Sequence, residues 1–137
     1  MDELLTLAEP GDGIDPAALE DACDRLRGLA NSLDAAALAP GLALADLQAL
    51  GRSATALRDQ ATRLVVARID LLAGEARITA RQIEAAVKAA DAEIRRAADI
   101  PTRLRRAVAL VALLAAVGTG SGSAMLKAAD GLRRELG

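Results

Sequence analysis

No His, Phe, Tyr or Trp occurs among the 137 residues. Without His, the usual agent of general acid–base, triad and metal chemistry is missing. Di-iron bundles built on Glu-x-x-His pairs are excluded outright. Without aromatics, there is no ring to stack on a nucleic-acid base, and the core must be built from Leu, Ala, Val and Ile. Cys23 is the single cysteine, so no internal disulfide exists. Lys is scarce as well, 2 against 15 Arg, which reads as GC-rich coding rather than an idealised design. A basic n-region is lacking too. Met1-Asp2-Glu3 is acidic, so no secretory signal peptide is expected, and the chain is placed as cytoplasmic or secreted by another route. No convincing period-2 strand pattern is found.

What is present is alanine and leucine, 34 and 23 residues. Ala buries little area, so helices can approach closely but each contact is thin. A thin core makes self-association or a partner a natural source of added stability. The net charge of −2 is unevenly spread. Residues 1–50 carry ten acids and two bases; residues 51–137 carry nine acids and fifteen bases. An acidic front and a basic rear can pack on each other or join head to tail.

Helical spacing runs through most of the chain. Residues 2–9 allow a turn or two before Pro10-Gly11-Asp12-Gly13 breaks them. Asp15-Pro16 is a start signal, an Asp cap followed by Pro where its missing N–H costs nothing. Leu19, Cys23, Leu26, Leu29 or Ala30, Leu33 and Ala37 then share one face, up to a stop before Pro40-Gly41. A second helix carries Leu47, Leu50, Ala54, Leu57, Ala61, Leu64, Ile69 and Leu72, weakened at Gly51 and ending near Gly74. Thr79 and Gln82 fit a capping box with Ile78 and Ile83 as its staple, which starts a third helix at Ala80. Its buried face is Ile83, Val87, Ala90 and Ile94, and it should stop near Asp99-Ile100-Pro101. A fourth helix is expected over 101–117 and a fifth over 123–136, capped by Ser123 with Leu126, Ala129, Leu132 and Leu136 apolar. Acid-then-base pairs at i, i+4 support these assignments: Asp21/Arg25, Asp59/Arg63, Glu84/Lys88, Asp91/Arg95 and Asp130/Arg134. An echo at an offset of 38 aligns Leu19, Asp21, Arg25, Leu26 and Leu33 with Leu57, Asp59, Arg63, Leu64 and Leu71, too weak to define a repeat.

Four stretches offer chemistry. Glu20, Asp21 and Asp24 are the densest carboxylates, but Arg25 and Arg27 follow at once, favouring an ion-paired face over a metal site. Cys23 lies on an apolar face flanked by acids, which favours a small core residue over a reactive thiol. Gly118-x-Gly120-x-Gly122-Ser123 follows an apolar run and precedes a helix, as a phosphate loop would. It lacks the Lys-Ser/Thr pair, the glycine spacing of a nucleotide fingerprint and any βαβ context, so a helix stop and a connection are expected. Arg95, Arg96, Arg103, Arg105 and Arg106 form a basic patch that could meet nucleic acid or an anionic membrane. Pairing with the acidic front half is the more economical account, and a nucleic-acid role is disfavoured.

The longest apolar run, residues 107–117, follows that patch directly. As a core helix it would be the central strut of a bundle, with Val108, Leu110, Val111 and Leu114 in core or interface. Counted on to residue 126 it makes an uncharged span of twenty, about the length that crosses a bilayer, beside a positive flank.

Residues 14–99 resemble the helical-hairpin proteins of actinobacterial type VII (ESX) secretion, the Trp-x-Gly superfamily in its divergent forms. The likeness lies in Ile14-Asp15-Pro16-Ala17-Ala18-Leu19, in the Ala/Leu-rich helices, and in Ala85-Ala86-Val87-Lys88-Ala89-Ala90-Asp91. The last segment looks like the family's Tyr-x-x-x-Asp export signal with Val87 in the Tyr place, and no Trp stands near Pro40-Gly41. The resemblance implies a non-enzymatic, secreted or partner-escorting hairpin that dimerises.

The expectation is therefore a single all-α domain over 1–137, a four- to five-helix bundle. Residues 14–99 form amphipathic helices, and 100–137 an apolar helix plus a C-terminal helix. Its function is expected to be protein–protein interaction through helix faces, as an adaptor, chaperone-like or secreted hairpin-type module. The partner is another protein or a second copy, and neither enzyme activity, cofactor nor metal is expected. The alternative is a membrane-associating protein that inserts 107–126.

Overall fold

The computed structural model describes residues 16–67, 80–119 and 122–136. Among them are five helices and no strand: α1 (Pro16–Ala36), α2 (Leu44–Ala67), α3 (Ala80–Arg96), α4 (Ile100–Thr119) and α5 (Gly122–Leu136). The all-α bundle expected from the sequence is the observed architecture.

α1 begins at Pro16, as its start signal predicts; Asp15 lies outside the described residues. The Leu19, Cys23, Leu26, Leu29 and Leu33 stripe is buried, with Ala22 and Ala30 filling the narrow spaces between. The chain leaves α1 through hydrogen bonds from Ala37 N to Leu33 O and from Leu38 N to Ala35 O. Gly41 then takes φ +81°, the left-handed conformation that turns the chain into α2. α2 returns antiparallel, burying Leu50, Ala54, Leu57, Ala61 and Leu64 against α1. Leu47 is only half-buried, and Ile69, Leu72 and the capping box at Ile78 and Thr79 lie outside the described residues.

The thiol of Cys23 donates to the Ala61 carbonyl oxygen at 3.2 Å, joining the first half of α1 to the second half of α2. These two positions are 38 residues apart, the same offset as the echo in the sequence. Cys23 is a small buried core residue.

α3 runs parallel to α1, with Ile83, Val87, Ala90 and Ile94 buried as predicted. The break before α4 is built by Asp99, whose Oδ1 accepts from Thr102 N at 2.7 Å as an N-cap. That bond holds the Asp99 carboxyl below its usual range. Pro101 follows in the first turn, where no donor is required.

α4 packs against α2, α3 and α5, which makes it the strut that joins the α1–α2 pair to the C-terminal helix. It runs to Thr119, past the stop expected at Gly118, and the Thr119 hydroxyl donates back to Ala116 O at 2.6 Å. α5 starts at Gly122, so Ser123 sits inside its first turn rather than as its cap. Its buried stripe is Met125, Ala129, Leu132 and Leu136; Leu126, expected inward, points out.

Candidate functional site

Each arginine of the basic patch has a partner within the chain, while Arg95, Arg96 and Arg105 stay exposed. Arg106 donates from Nη1 to Glu93 O at 2.6 Å and from Nε to Glu135 O at 3.0 Å. Glu93 lies in the last turn of α3 and Glu135 in the last turn of α5. One guanidinium therefore satisfies carbonyls at the negative poles of two helices. Arg103 adds a bond from Nη2 to Ala97 O at 3.2 Å, just beyond α3. Arg105 reaches Glu135 at 3.5 Å and Thr102 Oγ1 at 3.2 Å. Arg95 pairs with Asp91 at 2.7 Å, and Arg96 with Glu93 at 3.1 Å.

These partners all belong to the rear of the chain, which corrects the expected pairing of rear arginines with front acids. Asp21 and Asp24 are met by Arg25 and Arg27 of their own helix, at 2.8 and 3.9 Å. The front-to-rear contact among the described ion pairs is Arg58, which bonds Asn31 at 2.8 Å and also Asp34. The sequence missed the helix-end role because a backbone carbonyl leaves no trace in a charge pattern.

Asp21 and Glu84 form a carboxyl pair between α1 and α3. Its hydrogen bonding lowers the Asp21 pKa, with Arg25 the main cause, and raises that of Glu84, with Asp21 the main cause. Among the described residues no group of three His, Cys, Asp or Glu side chains gathers as a metal site.

The four residues singled out in the apolar run divide between two faces. Leu110 and Leu114 are buried, together with Ala107, Leu113, Ala116 and Val117. Val111 is half-buried against the core. Val108 is 60% exposed and lies on the outer face. That face repeats at helical spacing through Arg105, Val108, Ala112 and Ala115, all exposed. The span 107–126 is not one helix, since α4 ends at Thr119 and α5 begins at Gly122. Among the described residues no helix is long and apolar enough to cross a membrane.

Two shallow grooves flank the exposed ridge of α4. Toward α5 the walls are Leu104, Val108, Ala109 and Ala112 on one side and Ala128, Gly131 and Leu132 on the other, with Arg105 and Glu135 at one end. Toward α2 they are Leu104, Val108 and Val111 facing Ala49, Ser53 and Ala56, with Arg52 on the rim. Leu104 and Val108 belong to both. Ala112, Ala128 and Gly131 were not singled out from the sequence. Hydropathy cannot separate the two faces of an all-apolar helix, but side-chain size does: Leu and Val dominate inside, Ala outside.

Comparison with known protein families, curated proteins and solved structures returns no match for this chain.

Proposed function

We propose that this chain is a non-enzymatic interaction module that binds another protein surface through the outer face of α4 and its two flanking grooves. The observation that carries this reading is the exposed Val108–Ala112–Ala115 stripe. It is uncharged, aligned along one helix and bordered by small residues that let a second helix approach. Arg105 and Glu135, at the end of the groove toward α5, are paired with each other, which suits a scaffold that presents a surface more than one that performs a reaction. The likeness of residues 14–99 to type VII secretion hairpins points the same way, toward a non-enzymatic chain that works with a partner.

The test is stoichiometric association of the purified full chain, with itself or with a co-purifying protein, compared between the native chain and Val108→Glu. Association that disappears in the variant while its helical circular dichroism is unchanged supports the reading. A chain that is monomeric and partnerless, or one whose association ignores Val108→Glu, refutes it.

A further inference from the structure

The groove between α2 and α4 has walls of matching spacing. Ala49, Ser53 and Ala56 line the α2 side and Leu104, Val108 and Val111 the α4 side, both at i, i+4, i+7. Each wall therefore spans about 10 Å, or two turns. Among the described residues that line it, the charged one is Arg52, exposed on the rim. Among the described residues Arg52 makes neither an ion pair nor a hydrogen bond. The other arginines of α2 are engaged, Arg58 with Asn31 and Asp34, and Arg63 with Asp59 at 3.1 Å.

We propose that this groove receives an amphipathic helix of a different protein, one that sets an acidic side chain against Arg52. This rests on the interaction reading above and names its partner. Other common ways of docking a peptide lack their means here. An added strand needs a sheet edge, and no strand occurs among the described residues. A polyproline segment needs an aromatic-lined groove, and the chain has no aromatic residue. A phosphopeptide needs a cluster of arginines, and the described lining holds one. A helix needs an apolar furrow a few turns long, which the two walls supply, and the small α2 side chains let it lie close. The same face of a second copy would bring no acid to Arg52. A two-fold contact pairs the groove with itself, and no acid is among its described lining residues. A carboxylate opposite so exposed an arginine adds little affinity; it selects the partner and speeds encounter.

The probes are two synthetic helical peptides with the same leucine and alanine face, one edged by glutamates and the other by lysines. Their binding to the full chain is read by fluorescence anisotropy. The glutamate peptide should bind, and the lysine peptide more weakly. Arg52→Ala should weaken the glutamate peptide about two- to fivefold, the worth of one exposed ion pair. Arg52→Glu should weaken it further and strengthen the lysine peptide. Arg134→Ala removes the same charge from an exposed site outside the groove and should change neither. Circular dichroism of all three variants should match the native chain, since both arginines are exposed. Equal binding of the two peptides, or a glutamate peptide indifferent to Arg52, overturns the acidic partner. If that binding still needs Val108, the interaction reading stands. A chain that binds neither peptide overturns it as well, and the association comparison with Val108→Glu then decides the interaction reading by itself. Self-association that Arg52→Ala abolishes also overturns it, because a second copy then fills the groove.

Discussion

Arg106 donates to the carbonyl oxygen of Glu93 at 2.6 Å, tying the second turn of α4 to the last turn of α3. The same side chain reaches Glu135 O, so three helices meet at one guanidinium. Hydrogen bonds from a charged donor contribute about 1.5–3 kcal/mol each, but the carbonyls at helix ends can partly recover water when the donor is removed. Arg106→Ala should therefore lower the unfolding free energy by about 2–3 kcal/mol. Arg106→Lys keeps the charge but loses the planar fork that serves two carbonyls, and should fall between. Urea titration with an unchanged slope checks this. A loss below about 0.5 kcal/mol would place Arg106 among ordinary surface residues.

The two faces of α4 predict opposite outcomes for one kind of change. Leu110 is fully buried and Leu114 nearly so, with neighbours that offer no partner for a carboxylate. Leu110→Asp or Leu114→Asp should cost more than about 4 kcal/mol, a large share of a domain's usual 5–15 kcal/mol. Both should be unfolded or partly so by circular dichroism at 25 °C. Val108→Asp should change the monomer's stability by less than about 0.5 kcal/mol. A folded, soluble Leu114→Asp protein would show that α4 is not the strut described above.

The bundle was legible because its information is local and repeated. Leu19, Leu26 and Leu33, or Ile83, Val87 and Ile94, recur at a period that only a helix satisfies, and the structure buries all of them. Four of the five i, i+4 pairs form: those of Asp21, Asp59, Asp91 and Asp130. Leu126 was misplaced because Met125 stands beside it, and two adjacent apolar residues leave the register of a short helix open. The candidate site was legible only as a stretch. Which side of residues 107–117 faces out depends on α2, α3 and α5 arriving from other parts of the chain, and no local pattern encodes that arrival. The end-capping by Arg106 was invisible for the same reason, since Glu93 and Glu135 contribute through backbone oxygens.

The fifth pair, Glu84 with Lys88, is replaced by the carboxyl pair of Glu84 with Asp21, beside Arg25 and Lys88. Glu84 has a raised folded pKa, so the stability that it contributes is present below its unfolded value and lost as pH rises through the folded one. Asp21 has a lowered folded pKa and works in the opposite sense, losing its contribution as pH falls. Glu84→Gln keeps a donor toward Asp21 and removes one titration. The variant should melt higher than the native protein at neutral pH, and the gap should close as pH falls through the carboxylate range. Thermal melts at pH 7 and pH 4 measure it, and a gap independent of pH would separate the two carboxyls.

Gly41 and Gly51 should respond to alanine with opposite signs, because their backbones differ while their surroundings do not. A Cβ at either position meets nothing within 4 Å, so sterics with neighbours decide neither case. Gly51 lies in the interior of α2, exposed, where its only effect is the chain entropy that a glycine loses on becoming helical. Gly51→Ala should raise stability by about 0.5–1 kcal/mol. Gly41 holds φ +81° in the turn between α1 and α2, where a Cβ crowds its own backbone. Gly41→Ala should lower stability by about 1–2 kcal/mol. Denaturant midpoints of the two single variants measured side by side check both signs. If Gly41→Ala were neutral, the turn could relax to negative φ without loss, and the hairpin's entry into α2 would not depend on a glycine there.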